Sequence, residues 1–146
     1  MRTLAELEQV FELPRETPDA KARASELLRA SEEVLEHWVS ARGEEPTTDT
    51  REGFRLLALH RQGAKGDPSF NACRETCREI AYHYNLLTLR DVNSDITDRL
   101  SMLAMISKHL YLFVSGKLQV AQLGEFCCAA KPIRSADAAN PSPKEA

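Results

Sequence analysis

Apolar residues recur every three or four positions along most of the chain, and no stretch alternates apolar with polar as a half-buried strand would. The pattern predicts an all-α protein. Thr3, three residues before Glu6, forms a reciprocal cap in which hydroxyl and carboxylate each accept a backbone N–H, so a first helix starts there and stops before Pro14. A second starts at Thr17 with Pro18 in its first turn and runs to Arg42, with Gly43 as terminator. Ala24, Leu27, Leu28, Leu35, Trp38 and Val39 form its packing stripe, and Glu26, Arg29, Glu32, Glu33 and Glu36 are expected on the solvated side.

Residues 43–50 carry Gly, Pro, Thr and Asp and form a loop. A third helix follows from Arg51 to about Gly63. Asp67 then caps a fourth, with Pro68 just inside it, running through NACRETCREIAYHYNLL. A fifth is expected from near Ser94 to about Gly116, and a sixth from Lys117 to Ala130, ending before Pro132. The fifth is apolar nearly all round. Ile96, Leu100, Leu103, Ile106, Leu110 and Phe113 make one stripe, while Met102, Met105, Leu112 and Val114 extend apolar character to other sides. Such a helix is either the centre of a bundle or a surface that meets another chain.

Length bounds the architecture. A chain of 146 residues, 42% hydrophobic, supplies a single core without a covalent staple. The expectation is one compact bundle of about five to six helices over residues 1–130, with a flexible tail over 131–146, where three prolines and many small residues leave little to bury. No internal repeat of fixed period argues for a solenoid. The apolar run 100–116 is broken by Lys108 and His109 and is shorter than the roughly 20 residues that cross a bilayer. Glu6, Glu8 and Glu12 interrupt any leader-like stretch, so a cytoplasmic location and four reduced thiols are expected.

A formal net charge of −3 gives no global case for nucleic acid or an anionic membrane. Locally the balance is uneven: residues 1–50 carry 6 Lys and Arg against 12 Asp and Glu, and residues 51–90 carry 7 against 4. Arg51, Arg55, Arg61, Lys65, Arg74 and Arg78 are therefore either a patch for an acidic partner or phosphate, or the counterparts of Glu32, Glu33 and Glu36 within the bundle. No aromatic residues interleave with them as a stacking platform.

Candidate chemistry centres on Cys73 and Cys77, one helical turn apart, with His60 upstream and His83 downstream. Phe70, Cys73, Cys77, Ile80, Ala81, Tyr84 and Leu87 form one three-four series, so both thiols fall on the stripe the helix must bury, where cysteine acts as a small apolar residue. Against that stands a thiol or metal site. Cys73, Cys77 and His83 are the candidate metal ligands, although the chain has no C-x-x-C pair. Cys73 near a helix start, with His60 as a base, is the candidate reactive thiol, which burial would quiet. Glu33 with His37 and Glu79 with His83 share helix faces at a spacing one residue longer than that of di-iron bundles. Of the vicinal Cys127 and Cys128, at most one shares the buried face. His109 and Tyr111 bring polar groups to an apolar helix and need partners.

No catalytic motif is present: there is no G-x-S-x-G and no phosphate-cradling glycine loop, so a non-enzymatic role is expected. No cofactor is predicted, with a metal at the cysteines the open exception. The leading expectation is a small cytoplasmic regulatory protein that binds itself, as a homodimer, or another protein through an apolar helical face that includes Met102, Met105 and Leu112. The alternative is a sensor that uses Cys73 and Cys77 with His60 or His83.

Overall fold

The computed structural model describes residues 1–12, 19–89 and 96–121. Among these residues the chain forms five α-helices and one 3-10 helix and no strand, a helical bundle as the sequence pattern predicts. The helices are α1 (Leu4–Glu12), α2 (Ala20–Ala41), α3 (Arg55–Ala64), α4 (Arg74–Leu89) and α5 (Ile96–Ala121); the 3-10 helix spans Pro68–Cys73. No described helix is long and apolar enough to cross a membrane. Thr17, Pro18, Ser94, Cys127, Cys128 and the proposed tail 131–146 lie outside the described residues.

The predicted reciprocal cap starts α1: the Thr3 N–H donates to Glu6 Oε1 at 2.8 Å and the Glu6 N–H to Thr3 Oγ1 at 3.1 Å. α2 begins three residues later than expected, because Asp19 supplies the cap by accepting the Ala22 N–H at 3.0 Å. At its other end Gly43, at φ 83°, lets the Gly43 and Glu44 N–H groups turn back onto the Ser40 and Val39 carbonyls at 2.9 and 3.2 Å, which satisfies two carbonyls the helix would leave open. α3 also starts late. Arg51 and Phe54 exchange both backbone hydrogen bonds, each 2.9 Å, and the residues between them, Glu52 and Gly53, both have positive φ, so the predicted first turn of helix is a tight β-turn instead.

α2 is the helix that packs against every other one, so it, and not α5, is the centre of the bundle. α5 lies against α1, α2 and α4 and keeps one side in solvent. It does not end at Gly116. A helical glycine costs about 1 kcal/mol against alanine, and burial of Leu118 beyond it offsets that. The residues expected to open a sixth helix, Lys117–Ala121, are its last turn, and 122–130 lie outside the described residues.

The expected solvated side of α2 is partly covered. Glu33 and Glu36 are buried, because cationic side chains close over them. Arg2 donates to both Glu33 oxygens at 3.2 and 2.7 Å, Arg29 reaches Glu32, Glu33 and Glu36, and Arg55 pairs with Glu36 and Glu32. Burial pushes the Glu33 carboxyl up, but the Arg2 hydrogen bonds outweigh it and hold this group below the ordinary carboxylate value. Glu32 is raised, by burial against the pull of Arg29.

Candidate functional site

The corner where α3, the 3-10 helix and the start of α4 meet is built around Phe70. This side chain is fully buried and stacks on Trp38 of α2 at 4.9 Å between centroids, on His60 of α3 at 5.5 Å and against Phe113 of α5 at 5.7 Å. So close an approach of α2 and α3 requires a residue without a side chain. A Cβ at Gly63 would stand 2.8 Å from Trp38 Cδ1 and 3.0 Å from Phe70 Cε2. The Gly63 carbonyl in turn accepts the Trp38 indole N–H at 2.9 Å and an Arg42 N–H at 2.8 Å. Gly63 is thus a packing glycine one residue inside α3 and not the terminator its position suggests.

Asp67 holds the turn that leads into the 3-10 helix, as expected, but not by capping with its side chain. Its carboxylate accepts the Ser69 hydroxyl at 2.6 Å and Lys117 at 3.1 Å, which tie this turn to the end of α5 and hold the carboxyl below its ordinary value. The result is a short 3-10 segment that delivers Cys73 to the threshold of α4, the residue just before its first turn, where a continuous helix from Pro68 would place it sixth.

Cys73 and Cys77 are both unbridged and both buried, at 2% and 0% exposure, so the stripe reading of the sequence holds. Neither thiol lines the cavities that flank this corner; what accompanies the pair is His60, which shares the Phe70 carbonyl with Cys73. The Phe70 carbonyl accepts the His60 Nε2–H at 3.2 Å and, when Cys73 is protonated, the thiol at 3.3 Å. Hydrogen bonding from the Cys77 thiol, opposed by burial and reinforced by the His60 imidazole and the backbone N–H, pulls the Cys73 thiol down to about 6. The same interaction, with burial, pushes Cys77 well above the ordinary thiol value. The two shifts have one origin, a proton shared between neighbouring sulfurs, so they belong to the pair and not to either thiol alone.

The other candidates fall elsewhere. His83 is lowered by burial and by Arg99, and its Nδ1 is buried with no partner among the described residues. Neither thiol's ionisation is shaped by it. His37 accompanies Glu33 but bonds the Arg2 carbonyl at 2.6 Å, so the two Glu and His pairs do not converge. Among the described residues no group of three or more His, Cys, Asp or Glu side chains is placed to hold a metal ion. Tyr111 is buried with its hydroxyl 3.4 Å from Glu8, whereas His109 is exposed and needs no core partner. On α5 that histidine lies in one outward row with Met102, Met105 and Leu112, which are 41%, 49% and 51% exposed.

Sequence reasoning missed Phe70 as the hub of this corner, because an apolar stripe does not say which member's carbonyl accepts from both His60 and Cys73. Compared with protein-family models, with curated proteins and with solved structures, the chain matches none.

Proposed function

We propose that this chain is a small thiol-responsive regulatory protein in which Cys73 is the reactive sulfur and Cys77 the resolving one. The observation that carries the reading is the His60, Cys73 and Cys77 cluster at the start of α4, with a thiol pulled down to about 6 beside one held protonated. The oxidant is a hydroperoxide. Thiolate Sγ of Cys73 attacks the nearer peroxide oxygen, an S–O bond forms as the O–O bond breaks, and the departing oxygen takes a proton from water. The Cys77 thiol then attacks the sulfenic sulfur, closing an S–S bond and releasing water, so two thiols are oxidised by two electrons and one peroxide is reduced.

Four residues apart on an intact helix, two Cβ atoms are about 5 to 6 Å from one another, beyond the roughly 3.5 to 4.5 Å that a disulfide spans, so the bridge forms only when the 3-10 segment carrying Cys73 moves towards Cys77. Closing that bridge draws in the first turn of α4 and disturbs the packing on Phe70. Access is through the 3-10 helix, whose hydrogen bonds are poorer than those of an α-helix and open more readily. The test is mass spectrometry after graded hydrogen peroxide: a Cys73–Cys77 bridge in the wild type, and a Cys73 sulfenic acid trapped by dimedone in Cys77→Ala. If Cys73 reacts no faster than an ordinary cysteine, the reading fails.

The outward row on α5 supports a second reading, that the protein works by binding a partner, itself or another protein, through an apolar helical face. Methionines give such a face adaptability. Met105→Glu and Leu112→Glu then convert a concentration-dependent dimer into a monomer in analytical ultracentrifugation. A wild type that stays monomeric at every concentration, with no partner bound, contradicts it.

A further inference from the structure

We infer that the arginine-lined depression between α3 and the start of α4 binds the phosphoryl group of a small phosphorylated molecule. Arg51 from the tight turn, Arg61 from α3, and Arg74 and Arg78 from successive turns of α4 line a cavity of about 220 Å³ whose wall also includes His60 and Asn71. Among the described residues no carboxylate lines it. Among the described residues Arg51, Arg61 and Arg74 make no ion pair and no side-chain hydrogen bond, and only Arg78 has an acidic partner, Glu52, at 3.1 and 3.2 Å. The partition foreseen between a patch and a set of internal counterparts therefore splits within the group: Arg55 belongs to the glutamates of α2, and these others do not.

Three unpaired guanidinium groups around one concavity, with Arg78 held by Glu52, repel one another, and an anion seated among them removes that cost. The guanidinium fork matches the oxygens of a phosphoryl group two at a time, which an isolated carboxylate of the same chain does not require in such number. The depression is small and concave, which suits a small molecule better than an extended polyanion.

A larger cavity, of about 1140 Å³, shares Arg51, Arg61 and Ala64 with the first and continues along Thr47, Thr48, Thr50, Gln62 and Lys65. It offers hydroxyl, amide and ammonium groups, with Asp49 as its carboxylate and no Phe, Tyr or Trp on which a base would stack. The ligand body that fits is polar and hydroxyl-bearing, so the class is a sugar phosphate in preference to a nucleotide. The inference does not rest on the thiol chemistry, although His60 borders both sites.

Calorimetric titration of the full chain with glucose 6-phosphate, inorganic phosphate, glucose and a phosphoserine peptide tests it. Glucose 6-phosphate should bind more tightly than inorganic phosphate, and glucose should not bind. Arg61→Gln and Arg74→Gln should each weaken the sugar phosphate about tenfold or more, the loss of one charge-assisted hydrogen-bonding group. Both variants should keep the wild-type melting temperature, and Arg29→Gln and Cys73→Ala should leave the affinity unchanged. The inference is overturned if glucose 6-phosphate does not bind at millimolar concentration, if Arg61→Gln and Arg74→Gln bind it as the wild type does, or if the phosphoserine peptide binds where the sugar phosphate does not.

Discussion

On the α2 face, Arg2, Arg29 and Arg55 each close onto a glutamate, while at the corner of α3 and α4, Arg51, Arg61 and Arg74 close onto none. The residue type is the same and the surroundings differ. Glu33 and Glu36 sit at 5% and 6% exposure, where an ionised carboxylate without a partner would be costly, so the arginines above them belong to the fold. The corner arginines cover no such acid among the described residues. Matched charges on the α2 face therefore belong to the fold, and the unmatched ones at the corner are where the proposed phosphoryl site lies.

The comparison breaks most visibly at Glu36. Glu36→Ala takes from Arg29 and Arg55 the nearer of the two carboxylates they share and should cost about 2 to 3 kcal/mol in chemical denaturation, below the range for a broken buried pair because Glu32 stays within reach and both arginines reach solvent. Gly63→Ala should cost about 1 to 3 kcal/mol, since its methyl group meets two aromatic rings of the core at 2.8 and 3.0 Å. Cys77→Ala removes a fully buried sulfur and should cost about 1 kcal/mol while raising the pH at which Cys73 ionises. Arg61→Ala and Arg74→Ala should stay within about 0.5 kcal/mol of the wild type, as exposed residues without partners do. A loss at either of the last two comparable to that at Glu36 would erase the distinction.

The thiol pair also gives stability a pH dependence with a definite sign. Folding lowers the Cys73 value, so its contribution is present above the ordinary thiol value of about 8.5 and fades as the pH falls through about 6. Cys77 is shifted the other way, and its contribution is present below the ordinary value and lost as the pH rises past it. The urea midpoint of the wild type relative to Cys73→Ala should therefore climb across that lower window, and a flat difference would contradict the coupling.

Much of this bundle is legible along the chain. The Thr3 and Glu6 cap, the stop at Gly43 and the buried stripe containing both cysteines follow from local spacing, and the structure has them. What local spacing cannot carry is contact between distant segments. Glu33 and Glu36 read as solvated because their covers, Arg2 and Arg55, lie 31 and 19 residues away. Gly63 and Gly116 both read as helix stops; a ring from α2 explains the first, and the buried Leu118 beyond it the second. His60 entered as one of two candidates beside the thiols, and only the turn through Phe70 selects it over His83.

The most direct test of the account is the ionisation of Cys73 in the folded protein. Thiolate ultraviolet absorbance is followed against pH in the wild type and in Cys73→Ala, and the second curve is subtracted from the first. The account predicts a difference curve with its midpoint near 6, displaced upward in Cys77→Ala and in His60→Leu. A difference that develops only near the ordinary thiol value of about 8.5 would mean that Cys73 is a quiet core residue and would contradict it.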